Sequence, residues 1–415
     1  MSKHISILII GGGTGGIMLA SRLLKESDQL NVGIIEPSDV HYYQPAWTLV
    51  GAGTYDYDKT KRPMKDYIPK GTNWIKDKAT AILPKEKTVE TVSSGSFTYD
   101  YLVVAPGLAY DLDLVPGLKE GLDKGNVISI YTDPKKAWSA ISSFKGGTAL
   151  FTQPTTPIKC GGAPQKIMYL AEAHFKKRGV KKNTKIVFAT NGGVIFGVKP
   201  IKETLMKVVD RKGVHVKFGR NLVKIDAEKN IAWYRLGDNQ SEYNPVDLPL
   251  EKEGDLVGIP YDLLHTAPPS IAPKFLQASG LLNEGGWLNV DIHSLQHTQY
   301  PEIFGLGDVA ALPTAKTGAA IRKQVPVVMD NILKLMKGAE ASNYGYNGYS
   351  SCPLVTEYGK MVLAEFDYDS NFIPDPKLKR MLVFDSSKEH WRLWTFKKYG
   401  LPYLYWNYML KGKDV

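Results

Sequence analysis

An apolar strand running into a glycine turn, a second strand–loop–helix unit further along and an aromatic, lysine-rich C-terminus predict an α/β chain. It has two Rossmann-like domains followed by a C-terminal membrane-associating region. With 415 residues, 43% of them hydrophobic, the chain can bury at least two cores. No run of about 18 consecutive apolar residues occurs, so a spanning helix is not expected. Strand-like sequence begins at Ile5, which leaves no room for a signal or transit segment; translation in the compartment of use, or prior processing, is the expectation. The formal charge of +10 suits an anionic partner, whether an acidic lipid surface or a nucleic acid.

The N-terminus carries the clearest local signal. His4 to Ile10 reads as a fully buried strand, Gly11 to Gly16 as a turn and Ile17 to Lys25 as a helix. Gly11, Gly13 and Gly16 fit the G-x-G-x-x-G spacing, in which glycines permit a tight turn, close approach of a pyrophosphate, and packing of helix on strand. The phosphates would lie at the helix N-terminus. A second strand, Asn31 to Ile35, ends in Glu36, about 20 residues past the turn, where a carboxylate can hold ribose hydroxyls. Dinucleotide binding is therefore expected.

Which dinucleotide is decided much further on. Tyr300 to Ala310, with Gly307-Asp308 at its centre, resembles the second flavin motif of the two-dinucleotide-binding-domain flavoproteins, whose aspartate binds the ribityl chain of FAD. Asp308 inherits that role by position. Tyr101 to Gly107 resembles their other marker, an apolar strand ending in a small-residue turn that includes Ala105 and Gly107. The resemblance implies FAD, bound by a discontinuous domain of residues 1–112 and 285–337.

Residues 113–284 form the second expected Rossmann-like domain. Gly147 to Phe151 reads as its first strand and Ala163 to Arg178 as the next helix, with Pro164 in the first turn. The loop between them, Thr152 to Gly162, has no G-x-G-x-x-G, and the following strand, Lys185 to Thr190, ends without an acidic residue. NADH is therefore disfavoured as reductant. In place of a phosphate cradle the loop delivers Cys160 to a helix N-terminus, where the dipole and neighbouring Lys159 favour the thiolate. The other cysteine, Cys352, falls in Tyr349 to Pro353, a stretch that reads as a turn. Two thiols brought together beside a flavin could form a disulfide that a nucleophile opens; the bland reading is a pair of buried, inert cysteines. Without a C-x-x-C pair or a histidine cluster, no metal is expected.

Thr156 to Leu170, which contains Cys160-Gly161-Gly162, resembles the active-site segment of sulfide:quinone oxidoreductases, in particular the two-cysteine type related to the mitochondrial enzyme. His41 to Trp47, with Gln44 and Pro45, resembles that family's segment near the flavin, and Pro313 to Gly318, with Lys316, its helix start. A third cysteine carried by other members is absent. The resemblance implies oxidation of hydrogen sulfide, transfer of sulfane sulfur to a small thiol or to sulfide, and two-electron reduction of a quinone through FAD. It also implies a persulfide on Cys352 and a flavin-facing thiolate on Cys160. Lys316 is placed to stabilise negative charge on the reduced ring or on a quinone oxygen.

Residues 338–415 complete the chain. Trp391, Trp394, Tyr399, Tyr403, Tyr405, Trp406 and Tyr408 alternate with Lys397, Lys398, Lys411 and Lys413, a composition suited to a lipid headgroup boundary. Gly400 and Pro402 are expected to divide this stretch into interfacial helices too short to span. A peripheral membrane location follows, at a bacterial inner membrane, or at the mitochondrial inner membrane if the chain is processed. The competing reading is an aromatic edge packed on the first domain or on a second copy in a homo-oligomer. No nucleic-acid partner is expected. Lys212 to Lys229 reads as solvated surface. Two other functions compete: a type II NADH:quinone oxidoreductase, which should keep a glycine fingerprint between Thr152 and Gly162, and a non-catalytic, flavin-bearing redox-sensing protein.

Overall fold

The structure is a computed structural model that describes residues 3–342 and 345–414. Lys3–Ile10 (β1) lies inside a seven-stranded sheet. Ile7 and Ile9 project to one face, Leu8 and Ile10 to the other, and both faces are covered. That double burial is why the strand reads as a continuous apolar run instead of an alternation. After the glycine turn come helix Thr14–Glu26 (α1) and Val32–Ile35 (β2), which runs parallel to β1. Asn73–Ile75 (β3) extends the sheet beyond β2, and Ser96–Val104 (β4) flanks β1 on its other side. The N-terminal half of β4 meets an antiparallel strand, Thr88–Thr91, and its C-terminal half pairs with Ile303–Gly305, returned from far along the chain. This return carries Gly307 and Asp308 to the sheet end where Gly11 and Ala105 lie, the end at which α/β sheets bind ligands.

The second sheet has eight strands. Gly147–Gln153 (β5), helix Ala163–Lys177 (α2), Thr184–Thr190 (β6) and His215–Asp226 (β7) follow in sequence, with the three strands parallel. Ile231–Tyr243 (β8) then turns back antiparallel on β7, and Leu263–Thr266 returns parallel to β5. Helix Gly318–Met336 (α3) starts at Thr317, whose hydroxyl accepts the Ala320 N–H. A hairpin of Ser350–Glu357 (β9) and Lys360–Phe366 (β10) packs its Leu354, Val355 and Val362 into the core shared with α2.

Three expectations are corrected. Cys352 lies within β9, opposite Ala364 of β10, not in a turn. Pro353 is tolerated because a two-stranded hairpin leaves one edge of each strand unpaired. Lys212 to Lys229 is largely buried: Lys212 Nζ lies 2.6 Å from Glu172 Oε2 with both side chains 4% exposed, and Lys217 Nζ lies 2.6 Å from Glu242 Oε1. Removing one partner of the fully buried Lys212–Glu172 pair costs about 3–5 kcal/mol. The C-terminal stretch is one helical segment from Trp391 to Asn407, with Phe396–Gly400 wound more widely as a π segment. Gly400 breaks nothing; a Cβ there would sit 2.4 Å from Phe396 Cδ2, so the glycine serves close packing. Pro402 lies at the start of the following α turn, where its missing N–H is tolerated.

This segment has two unlike faces. Trp391, Tyr399 and Tyr403, spaced at helical multiples of four, are 59%, 62% and 58% exposed. Tyr405, Trp406 and Lys397 are buried. The Tyr405 hydroxyl shares hydrogen bonds with His41 Nε2 at 2.5 Å and Thr14 Oγ1 at 2.8 Å, seating the segment over the start of α1.

Candidate active site

A cavity of about 540 Å³ is lined by Gly13 and Glu36 from the first sheet, Cys160 and Lys166 from the second unit, and Leu401 and Leu404 from the C-terminal segment. At the glycine turn each residue has a distinct constraint. Gly11 has φ +104°, and a Cβ on it would meet Ala105 O at 2.4 Å; a Cβ on Gly16 would meet Gly11 O at 1.9 Å. A Cβ on Gly13 would meet nothing within 4 Å, so its backbone stands open to the cavity. Glu36 Oε2 accepts the Gly12 N–H at 2.7 Å and Oε1 accepts the Ser38 N–H at 2.7 Å. Burial lifts its carboxyl above the usual range against those two bonds.

Gln44, Pro45, Ala105, Gly107, Gly307, Asp308 and Lys316 also line the cavity. Gln44 Oε1 accepts from Lys159 Nζ at 3.0 Å, and Gln324 Oε1 accepts the Gly307 N–H at 2.8 Å. Lys316 Nζ donates to Ala310 O at 3.0 Å and stands 4.2 Å from the Trp287 ring centroid. Burial pushes its pKa down to about 8, opposed by Asp308. The open backbone at Gly13, the anchored carboxylate of Glu36 and a cavity of dinucleotide size fit FAD.

The two cysteines meet. Cys160 Sγ lies 3.2 Å from Cys352 Sγ, although only Cys160 lines the cavity. Cys160 has φ +54°, a left-handed conformation that costs a non-glycine residue on the order of 1–3 kcal/mol. Its N–H donates to Lys316 O at 2.8 Å and its carbonyl accepts the Ala163 N–H at 2.8 Å, which holds the strained loop against both units. Room for Cys352 depends on Gly162, where a Cβ would lie 2.7 Å from Cys352 Sγ.

The thiols are electrostatically unequal. A hydrogen bond from Cys352, together with the Lys166 ammonium 3.0 Å from Cys160 Sγ, holds Cys160 well below the ordinary thiol range in spite of burial. Cys352 is pushed well up by its bond to Cys160 and by burial. Of the two, Cys160, next to Lys166, is the sulfur on which negative charge is favoured.

Lys166 is the cation that sequence reasoning missed. Lys159, chosen because it adjoins Cys160, points to Gln44 instead. Side chains in a helix lean toward its N-terminus, so a lysine in the first turns of α2 reaches back over the preceding loop; that spacing was the available signal. Lys397 was also missed as a site residue. Buried on the inner face of the C-terminal segment, it lines the cavity and donates to Pro45 O at 2.8 Å. Burial, with nearby Lys166, lowers its pKa to about 7.

Residues 5–140 match the pyridine nucleotide-disulphide oxidoreductase family. The mitochondrial sulfide:quinone oxidoreductase of Mus musculus is 39% identical over 412 residues, covering 99% of this chain and 87% of the mouse protein. A type II NADH:quinone oxidoreductase of Staphylococcus epidermidis is 29% identical over only 28% of this chain. The crystal structure of the sulfide:quinone oxidoreductase from Aquifex aeolicus shares the fold, with a TM-score of 0.75 at 20% identity over 99% of this chain and 92% of that one. Identity of 39% across 99% of its residues places this chain in the sulfide:quinone oxidoreductase family.

Proposed function

We propose that the protein oxidises hydrogen sulfide at the Cys160–Cys352 pair, passes the sulfane sulfur to a small thiol or to sulfide, and delivers two electrons to a quinone. The observation that carries this reading is the pair of sulfurs 3.2 Å apart beside Lys166, in the loop where a nicotinamide cofactor would need glycines. Starting from a disulfide, hydrosulfide forms a bond to Cys352 Sγ as the Cys160–Cys352 bond breaks, and Cys160 leaves as the thiolate. Lys166 stabilises that leaving group. An acceptor thiolate then takes the sulfane sulfur and releases Cys352; re-forming the disulfide gives up two electrons. FAD, held by the Gly11–Gly16 turn, Glu36 and Asp308, would supply the two-electron acceptor between the cysteine pair and the quinone.

The quinone is expected in a membrane. The exposed row of Trp391, Tyr399 and Tyr403 supports peripheral docking of the C-terminal segment on a lipid surface, a bacterial inner membrane or the mitochondrial inner membrane. Among the described residues no helix is long and apolar enough to cross a membrane. An anaerobic titration tests the redox reading. Sulfide should bleach the FAD absorbance near stoichiometrically and NADH should not. The reverse pattern would mean an NADH:quinone oxidoreductase, and silence toward both a redox-sensing flavoprotein. Flotation with vesicles containing anionic lipid tests docking, which should weaken when Trp391, Tyr399 and Tyr403 are changed together to Ser.

A further inference from the structure

Three polar residues on the cavity wall take no part in the sulfur chemistry: Arg322 on α3, Tyr349 just before β9, and Glu365 on β10. They form a chain. Arg322 Nη2 donates to Tyr349 Oη at 2.7 Å, Tyr349 Oη donates to Glu365 Oε1 at 2.5 Å, and Glu365 Oε2 accepts the Asp375 N–H at 2.9 Å. Glu365 is 3% exposed and Tyr349 7%. The far end of the chain reaches the surface, where Asp375 is followed by exposed Lys377. Around it the cavity is apolar, with Leu363, Leu378, Met381, Phe396, Leu401 and Leu404 in its lining. Three of these belong to the C-terminal segment whose opposite face carries the exposed aromatics. An apolar wall of this kind suits a lipid-soluble ring, and the buried acid beside it is tolerated because Tyr349 and the Asp375 N–H both donate to it.

We infer that Glu365 and Tyr349 are the relay that gives a proton to the quinone as it is reduced, with Arg322 positioning the phenol. The inference rests on the quinone reading above. Reduction to a quinol takes two electrons and two protons: a hydride equivalent from the reduced cofactor carries both electrons and one proton, and the relay supplies the other. The Tyr349 O–H breaks as an O–H forms on the quinone oxygen, Glu365 returns its proton to Tyr349, and bulk solvent entering past half-buried Asp375 reprotonates the Glu365 carboxylate directly. Burial raises the Glu365 carboxyl above the usual range and Asp375 adds to the rise, opposed by the Asp375 N–H, by Tyr349 and by Arg322. Lys323, 5.7 Å from the Tyr349 ring centroid, and the Asp375 carboxylate, whose Oδ1 accepts the Lys377 backbone N–H, are the other charged groups beside the chain. A raised carboxyl pKa keeps the donor protonated to higher pH, so quinone reduction should fall as pH rises through it.

The two half-reactions separate the relay from the reading beneath it. Holoenzyme reduced by sulfide is mixed with a short-chain soluble quinone in a stopped-flow instrument. Glu365→Gln should slow reoxidation by about 10²-fold, flatten its decline at high pH, and leave bleaching by sulfide at the wild-type rate. The infrared band of a protonated carboxyl should vanish in the same variant. Tyr349→Phe, which removes only a hydroxyl, should slow the same step. Wild-type reoxidation rates and pH profile in both variants would overturn the relay. Failure of sulfide to bleach the wild-type protein would instead overturn the function on which it rests.

Discussion

The glycine turn before α1 and the cysteine loop before α2 occupy corresponding places in two similar units, each between a parallel strand and the N-terminus of a helix. The first turn is short and closes on itself: Gly11 and Gly16 have no room for a side chain, and Gly13 leaves bare backbone facing the cavity. The second loop is long, holds a strained cysteine at φ +54° and is tied to the segment after Asp308 by the Cys160 N–H. The same positive helix end that suits a diffusible phosphate can thus favour a tethered thiolate instead. What separates the two uses is covalent placement. A phosphate needs room and open backbone donors, whereas a sulfur must be held close to its partner, here 3.2 Å away, with its charge balanced by a cation such as Lys166.

The largest effect should come from removing the tethered anion. Cys160→Ser is expected to slow bleaching of FAD by sulfide by on the order of 10³-fold or more while FAD stays bound; unchanged bleaching in an anaerobic titration would break the contrast between the two loops. Next, Lys166→Met should raise the Cys160 pKa by about 1–3 units, because the cation that favours the thiolate is gone. The pH profile of iodoacetamide alkylation of the reduced protein reads this shift, and an unmoved midpoint would assign the activation to the helix end alone. Gly13→Ala should weaken FAD binding by roughly tenfold, about 1.4 kcal/mol, with the apoprotein's unfolding midpoint unchanged. Gly16→Ala, which drives a methyl into Gly11 O, should lower that midpoint as well; equal effects on both measurements would mean the turn does not divide its glycines between fold and ligand.

The last effect concerns Lys397 and is read on stability alone. Its folded pKa of about 7 lies below its ordinary 10.5, so between these values the unfolded chain binds a proton that the folded chain does not. Lys397 therefore makes stability rise with pH across that window, and below about 7 its contribution is constant. Lys397→Met should remove this part of the slope in urea midpoints compared at pH 7 and pH 9. An unaltered slope would show that this lysine is charged where it lies.

Periodicity and glycine spacing were enough to read β1, the turn, α1 and Glu36 from sequence, because each of those signals is local. Cys160 was legible through what its loop lacked. Its contact with Cys352 was not, since that depends on the packing of the β9–β10 hairpin against α2, and Ser350 to Pro353 looks like a turn until Leu354, Val355 and Thr356 are counted with it. Lys212, Lys217 and Arg220 suggested solvent because charge usually means exposure; here Glu172 and Glu242 neutralise them from distant positions. Lys397 illustrates the same limit. Its neighbours Lys398 and Tyr399 continue the surface pattern, and only the winding of the helix turns it inward.

Gly162 adds a historical constraint. A methyl group at position 162 would stand 2.7 Å from Cys352 Sγ and 2.4 Å from Leu354 Cδ2, so both side chains would have to shift to admit it. Changes at 162, 352 and 354 are therefore coupled, and their order matters: a side chain gained first at 162 would displace the sulfur from its place beside Cys160.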